Sequence, residues 1–304
     1  MMPVAAHRRS ALIVAWLTPG AASAVAPFLA TAQQRVPTTF ELAASLAVGV
    51  RESSGVAASR SQRGIIWTHN DSGDGPYLYA ITLDGRLVAR LAVRGARAVD
   101  WEDLALSTCP DSRGDCLYIA DTGDNQERRP FVSVYIVREP NLAAPGHRIQ
   151  TEVAAAGEVR IVYPDGPHDV EALWVAPDGA LELVSKGLSG PVIRYRVARE
   201  ALRSRAARSE VVDTLPIRPE RILGRLVTGA AISRDGEHVA IRTYTEIYFF
   251  RRSPNGRLEP DGPPCWIGTR EPQGEAVDFL DGETLVLTSE AYMGRDGTVH
   301  RVRC

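Results

Sequence analysis

The chain has 304 residues, 44% hydrophobic and 24% charged, a balance that excludes a disordered chain and suits one large domain or two small ones. Its 35 basic and 37 acidic residues leave a formal net charge of −2, so no bulk basic field recruits nucleic acid or an anionic membrane. Lys186 is the single lysine; every other basic residue is arginine.

Residues 1–32 read as an export signal. His7-Arg8-Arg9 supplies a positive start, residues 11–17 an apolar core, and Ala30-Thr31-Ala32 a small-x-small cleavage site. An uncleaved anchor is the weaker reading, because Pro19 and Gly20 break the run. No later stretch approaches the roughly 20 apolar residues of a membrane helix, so stable membrane insertion after cleavage is not expected. The expected compartment is secreted or periplasmic, which suits four cysteines in the mature part.

Residues 33–304 read as a single all-β domain. A strand within 38–50 is expected to close the structure by joining its last strands. Short strands then follow over 55–59, 65–69, 77–83 and 87–93, separated by Gly, Asp and Asn turns. A second group covers 102–107, 116–120, 131–138 and 158–163, with an insertion before its last member. A third covers 171–175, 181–185, 192–197 and 211–215, with a helical excursion over 200–209. A fourth covers 229–233, 238–243, 246–251 and 265–268. A fifth, over 276–280, 284–289 and 298–302, is one strand short, and the N-terminal strand can fill it.

Each group opens on the same shape: one polar residue directly before a short apolar strand. The recurring position is Ser54, Glu102, Glu171, Thr228 and Glu275, at intervals of 47 to 69 residues. That is the spacing of propeller blades. A β-sandwich also has many short strands, but it gives no reason for five copies of one polar position. The expectation is a five-bladed β-propeller; a sixth blade could form in the 138–158 insertion.

Cys109 and Cys116 flank a turn-rich hairpin and are expected to pair, leaving Cys265 for Cys304. A zinc site is the weaker reading, since there is no CxxC and no histidine cluster.

In a propeller, the connections into the innermost strands share a face with the loops after the second strands. That mouth would gather Glu52, Asp100, His168 and Gln273 with loop residues including Asp71, Asp121, Lys186, Arg242, Tyr244 and Glu290. At the axis, three glutamates would repel one another unless a cation sits between them. Oxygen-only donors favour Ca²⁺ or Mg²⁺, and a wide ring favours Ca²⁺. The alternatives are glutamates that merely accept loop amide hydrogen bonds, or a metal-free carboxylate pair. Asp121-Thr122-Gly123-Asp124-Asn125 reads as a calcium-loop fragment or a side-chain-stabilised turn. His69 and His168 are general-base candidates.

The segments Glu52-Ser53-Ser54-Gly55-Val56-Ala57, Asp100-Trp101-Glu102-Asp103-Leu104-Ala105 and Asp169-Val170-Glu171-Ala172-Leu173 resemble the repeated elements of secreted phytase-like and SdiA-regulated β-propellers. The axial order Ser, Glu, Glu, Thr, Glu is similar to the calcium site of five-bladed calcium-activated nucleotidases. The resemblance implies that Ser54, Glu102, Glu171, Thr228 and Glu275 ring a Ca²⁺ ion.

The resulting expectation is an exported, calcium-binding propeller that hydrolyses a phosphoester or other ester of a small anionic molecule. Lys186 and Arg242 would neutralise the anion, and Asp71 or Asp121 would take a proton. The rival is a non-catalytic ligand- or protein-binding propeller with structural calcium. A glycosidase would need two carboxyls at a set separation, which a sequence does not supply.

Overall fold

The computed structural model describes residues 35–142, 152–155, 157–219 and 222–304. The expected export signal lies outside the described residues, as does 143–151 of the insertion. Among the described residues no helix is long and apolar enough to cross a membrane.

Nearly all regular structure is strand, arranged as five sheets. The chain enters on β1 (Thr39–Ser45). Blade one follows with β2 (Ser53–Ala58), β3 (Ile65–Asn70), β4 (Tyr77–Thr82) and β5 (Leu87–Arg94). Blade two takes β6 (Trp101–Thr108), β7 (Asp115–Asp121) and β8 (Val132–Arg138). The chain then returns to blade one with β9 (Glu152–Ala154), parallel to β5, before β10 (Gly157–Val162) resumes blade two. Blade three is β11 (Val170–Val175), β12 (Leu181–Ser185), β13 (Ile193–Val197) and an outermost strand. Before that strand come a short 3₁₀ turn, Arg199–Arg203, and β14 (Ala206–Arg208), which pairs in parallel with β10 of blade two. β15 (Glu210–Thr214) completes blade three. Blade four is β16 (Val227–Ile232), β17 (His238–Thr243) and β18 (Glu246–Arg252), edged by β19 (Leu258–Pro260) and β20 (Cys265–Trp266). Blade five is β21 (Gln273–Phe279), β22 (Thr284–Glu290) and β23 (Thr298–Arg303).

β1 completes blade five, antiparallel to β23 from Thr39↔Arg303 to Ser45↔Thr298. The expected closing strand is therefore present, and the free edge it covers is one that a propeller must hide. Ring closure is complete at the centre too. β2 touches β6, β6 touches β11, β11 touches β16, β16 touches β21, and β21 touches β2. The insertion after β8 forms no sixth blade among the described residues; its β9 edges blade one instead. Both parallel pairings were outside the sequence expectation.

The core is divided among the five blade interfaces. Trp67 and Leu91 meet Trp101 and Leu117 between blades one and two. Tyr118 and Val134 meet Leu183 and Tyr195 between blades two and three. Trp174 meets Val239 and Phe250 across the next seam, Ala240 and Ile247 meet Leu285 and Val302 across the fourth, and Val286 and Val299 meet Ile66 and Ile81 across the last. Each sheet buries both faces, which is why the innermost strands β2 and β11 read as continuous buried runs rather than alternating ones.

Both disulfides form as expected, Cys109–Cys116 and Cys265–Cys304. The second ties the last residue to β20, while Arg35 Nε donates to the Cys304 carbonyl at 2.8 Å.

Candidate metal centre

The five repeat positions share one backbone feature. In blade one the register jumps from Ser53↔Asn70 to Gly55↔His69, leaving Ser54 unpaired. The same jump leaves out Glu102 in blade two, Glu171 in blade three, Thr228 in blade four and Glu275 in blade five. Each is the extra residue of a β-bulge on an innermost strand. A bulge bends the strand and re-aims one side chain, so five bulges present these side chains at equivalent places. The residue after the bulge is small in four blades because backbones crowd at the centre. A Cβ on Gly55 would sit 2.6 Å from the Leu104 amide nitrogen.

In blade two that next residue is Asp103, fully buried. Its Oδ2 accepts N–H groups of Leu173 at 2.7 Å and Ala230 at 3.2 Å, and its Oδ1 accepts that of Leu104 at 2.8 Å. One carboxyl thus joins the innermost strands of blades two, three and four.

The five side chains do not form one symmetric ring. Ser54 Oγ donates to Glu102 Oε2 at 3.3 Å. Thr228 Oγ1 donates to the Glu275 backbone carbonyl at 2.8 Å, so its hydroxyl serves the β16–β21 contact. Glu275 is held by Gln273 Nε2 at 2.8 Å, and the same amide reaches Glu290 at 2.7 Å. The tight carboxylate set lies to one side. Oxygens of Glu102, Asp169 and Glu171 fall within 4.8 Å of one another, and so do oxygens of Asp71, Asp100 and Glu102. Glu102 belongs to both sets and Glu275 to neither.

Glu102, Asp169 and Glu171 are almost fully buried. Asp169 Oδ1 accepts the Asp124 N–H at 2.8 Å, while Asp169 Oδ2 is buried without a hydrogen-bond partner. Lys186 Nζ lies 2.5 Å from Glu171 Oε1 and 3.7 Å from Asp169 Oδ2. Gly123 closes the site from the blade-two loop: a Cβ there would fall 2.1 Å from Glu102 Oε1 and 2.5 Å from Asp100 Oδ2.

The electrostatics follow from burial and crowding. Burial, then Glu171, Asp71 and Asp100, hold the Glu102 carboxyl well above its usual range. Burial outweighs the opposing Lys186 and raises Glu171 to about 8. Burial and Asp71 raise Asp100 to about 7; burial, Asp71 and Glu52 raise Glu290 to about 8. Glu275 is raised by burial and by Glu290. Burial by itself would lower the Lys186 ammonium, but Glu171, Tyr244, Asp169 and Glu102 outweigh it and keep the lysine charged. Without a further cation, the mouth therefore retains protons at neutral pH.

Other expected site residues lie as follows. Asp71 is half-buried beside Asp100 and Glu102. Asp121 is buried on Arg129 at 3.0 Å and accepts the Asp100 N–H at 3.1 Å, which positions the blade-two loop. Arg242, expected at the mouth, is directed into the seam between blades four and five. Its Nη1 donates to the Ala276 and Thr288 carbonyls at 2.6 and 3.1 Å, and its Nη2 pairs with Glu271. A guanidinium inside that seam satisfies carbonyls that apolar packing would leave bare. Asp124 Oδ2 accepts the Arg128 and Arg129 N–H groups at 2.7 and 2.6 Å, so the side-chain-stabilised turn runs over 124–129. His69 is fully buried against Trp101, and burial lowers its imidazole; His168 stacks on Tyr195.

Asp169 is the site residue that sequence reasoning missed. Its signal was available: it stands two before the repeat position, as Asp100 does in blade two and Glu52 and Gln273 do in blades one and five.

No protein-family model matches the chain, and no curated protein matches it significantly. Among solved structures, the chain is similar to the PQQ-bound form of aldose sugar dehydrogenase from Streptomyces coelicolor, at 11% identity and a TM-score of 0.47, over 87% of this chain and 98% of that one. It is also similar to a putative gluconolactonase, at 12% identity and a TM-score of 0.46, over 88% of this chain and 94% of that one. At these values neither neighbour bears on activity or ligand.

Proposed function

We propose that this is an exported propeller whose mouth binds Ca²⁺ and hydrolyses a phosphoester or other ester of a small anionic molecule. The observation that carries the cation is the buried trio Glu102, Asp169 and Glu171, with Asp169 Oδ2 lacking any hydrogen-bond partner. Three buried carboxyls facing one ammonium can ionise together only if further positive charge joins them, because burying unpaired charge is unfavourable. Every donor is a hard oxygen, which fits Ca²⁺. Ser54 and Thr228 belong to this reading as residues that hold the ring in shape: Ser54 orients Glu102, and Thr228 fixes the Glu275 backbone. Glu275, with Gln273, would complete the far wall.

The cation also answers an objection to an anionic ligand, because carboxylates at the mouth would otherwise repel it. When bound, Ca²⁺ would offset that charge and polarise the ester. Lys186 would pair with a substrate oxygen. Asp71 and Asp100 are the half-buried carboxyls beside Glu102 and are placed to exchange a proton with the substrate. Asp121 is committed to Arg129, so the proton role passes to these two. The two disulfides are compatible with export.

The second reading is a non-catalytic binding propeller in which the cation only locks the ring. It is favoured by the hydroxyl and amide locks at Ser54, Thr228 and Gln273. One experiment separates the readings. The purified protein is analysed for metal, then assayed on phosphoester and carboxylic ester panels with calcium and with chelator. Calcium-dependent turnover supports the hydrolase; tight calcium without turnover supports the binding module; absence of calcium binding overturns both.

A further inference from the structure

A wide cleft among the described residues shares no residue with the mouth. It has a volume of about 800 Å³ and lies on the outer rim of blades one and two. Arg94, Arg138, Arg160, Arg203 and Arg205 line it, with Asp111 and Glu158 the acidic residues there. In a chain of net charge −2, this is a concentrated positive patch.

The cleft follows from the two parallel pairings. β9 draws the insertion onto the edge of blade one beside Arg94, and β14 draws the blade-three excursion onto blade two. The Arg160 N–H donates to the Arg205 carbonyl at 3.1 Å, which brings Arg203 and Arg205 alongside β10. The Cys109–Cys116 disulfide and Leu202 form part of the wall.

The arginines are held in place by weak partners. Arg138 pairs with Asp111 at 2.9 Å, Arg160 with Glu158 at 3.1 Å and Arg94 with Glu152 at 3.4 Å. Arg203 donates to the Pro110 carbonyl at 3.2 Å, and the Arg205 guanidinium has no partner among the described residues. Exposed ion pairs are weak, so an incoming anion exchanges them at little cost. Guanidinium forks match phosphate oxygens and bind them in pairs. The volume is that of a small-ligand site.

We propose that this rim cleft binds a multivalent phosphate group, independently of the mouth. Such a group can come from a soluble phosphorylated molecule or from a phospholipid headgroup.

The test uses the full chain in metal-free buffer. Inorganic tripolyphosphate is titrated calorimetrically, and flotation is measured with vesicles of anionic phospholipid against neutral ones. Binding of either probe is expected. Arg203→Gln/Arg205→Gln should weaken it by about tenfold or more, whereas Arg86→Gln, at an exposed arginine of the β4–β5 turn outside the cleft, should leave it unchanged. Arg205→Gln alone loses no observed partner, so it keeps the test valid if the double variant misfolds, and it should weaken binding several-fold. Tripolyphosphate binding identifies the soluble source, and binding to anionic vesicles alone identifies the headgroup. Binding of neither probe, or binding that survives loss of the arginines, overturns the proposal.

Discussion

Lys186 Nζ lies 2.5 Å from Glu171 Oε1, so the one lysine of the chain meets one of the three repeat glutamates. The pair is buried and Asp169 Oδ2 is 3.7 Å away. Removing one partner of a buried pair leaves uncompensated charge, typically about 3–5 kcal/mol. Lys186→Met should therefore lower metal-free stability by about 3 kcal/mol. It should also raise calcium affinity, because an internal competitor is gone. Added calcium should recover most of the lost melting temperature. Glu171→Gln should instead lower calcium affinity and abolish the calcium-induced rise. An equal calcium shift in wild type and Glu171→Gln would exclude the trio as the site.

Gly123→Ala tests the same site from its wall. The added Cβ would fall 2.1 Å from Glu102 Oε1, so the carboxylate must move. Calcium affinity should fall about tenfold or more, while secondary structure by circular dichroism stays unchanged. An unaltered affinity would mean that Glu102 is not a ligand.

Asp103 is expected to act on the fold. Asp103→Ala leaves the Leu173 and Ala230 N–H groups buried without their acceptor. Each unsatisfied group costs about 1–3 kcal/mol, so urea unfolding should show a loss of about 3 kcal/mol or more. Calcium should not restore it.

The two disulfides should differ in weight. They close loops of sequence separation 7 and 39. On the chain-entropy account these are worth about 2 and about 4 kcal/mol. Cys265→Ala/Cys304→Ala should thus lower the melting temperature more than Cys109→Ala/Cys116→Ala, the more so because it frees β20 from the C-terminus.

Asp278 gives a pH dependence away from the mouth. Its carboxyl accepts the Ala58 N–H at 2.6 Å, and burial raises it from 3.8 to about 6. The folded state then holds this proton more tightly than the unfolded state. Its contribution to stability must fall as pH rises from about 4 to about 6. Asp278→Asn removes that titration, so the difference in stability between variant and wild type should change across this window. A difference constant from pH 3.5 to 7 would rule the titration out.

The repeat of one polar position before each apolar strand, and the spare N-terminal strand, were enough to read a closed five-bladed ring. Both are local patterns that survive in a linear chain. The cysteine pairs were legible too, because a short turn left each cysteine one reasonable partner. Site composition was partly legible: Glu102, Glu171 and Lys186 do converge. What the pattern implied wrongly was equivalence. Identical places in five bulges do not make identical surroundings, since each side chain answers to its neighbours. Thr228 turns to a carbonyl, Glu275 to Gln273, and Arg242 into a seam whose carbonyls needed a donor. Asp169 joined the trio because the chain brings blades two and three together there. The rim cleft rests on two parallel pairings between segments remote in sequence, β5 with β9 and β10 with β14. Periodicity records which face of a strand is buried; which strand lies alongside it is decided by packing across the whole ring.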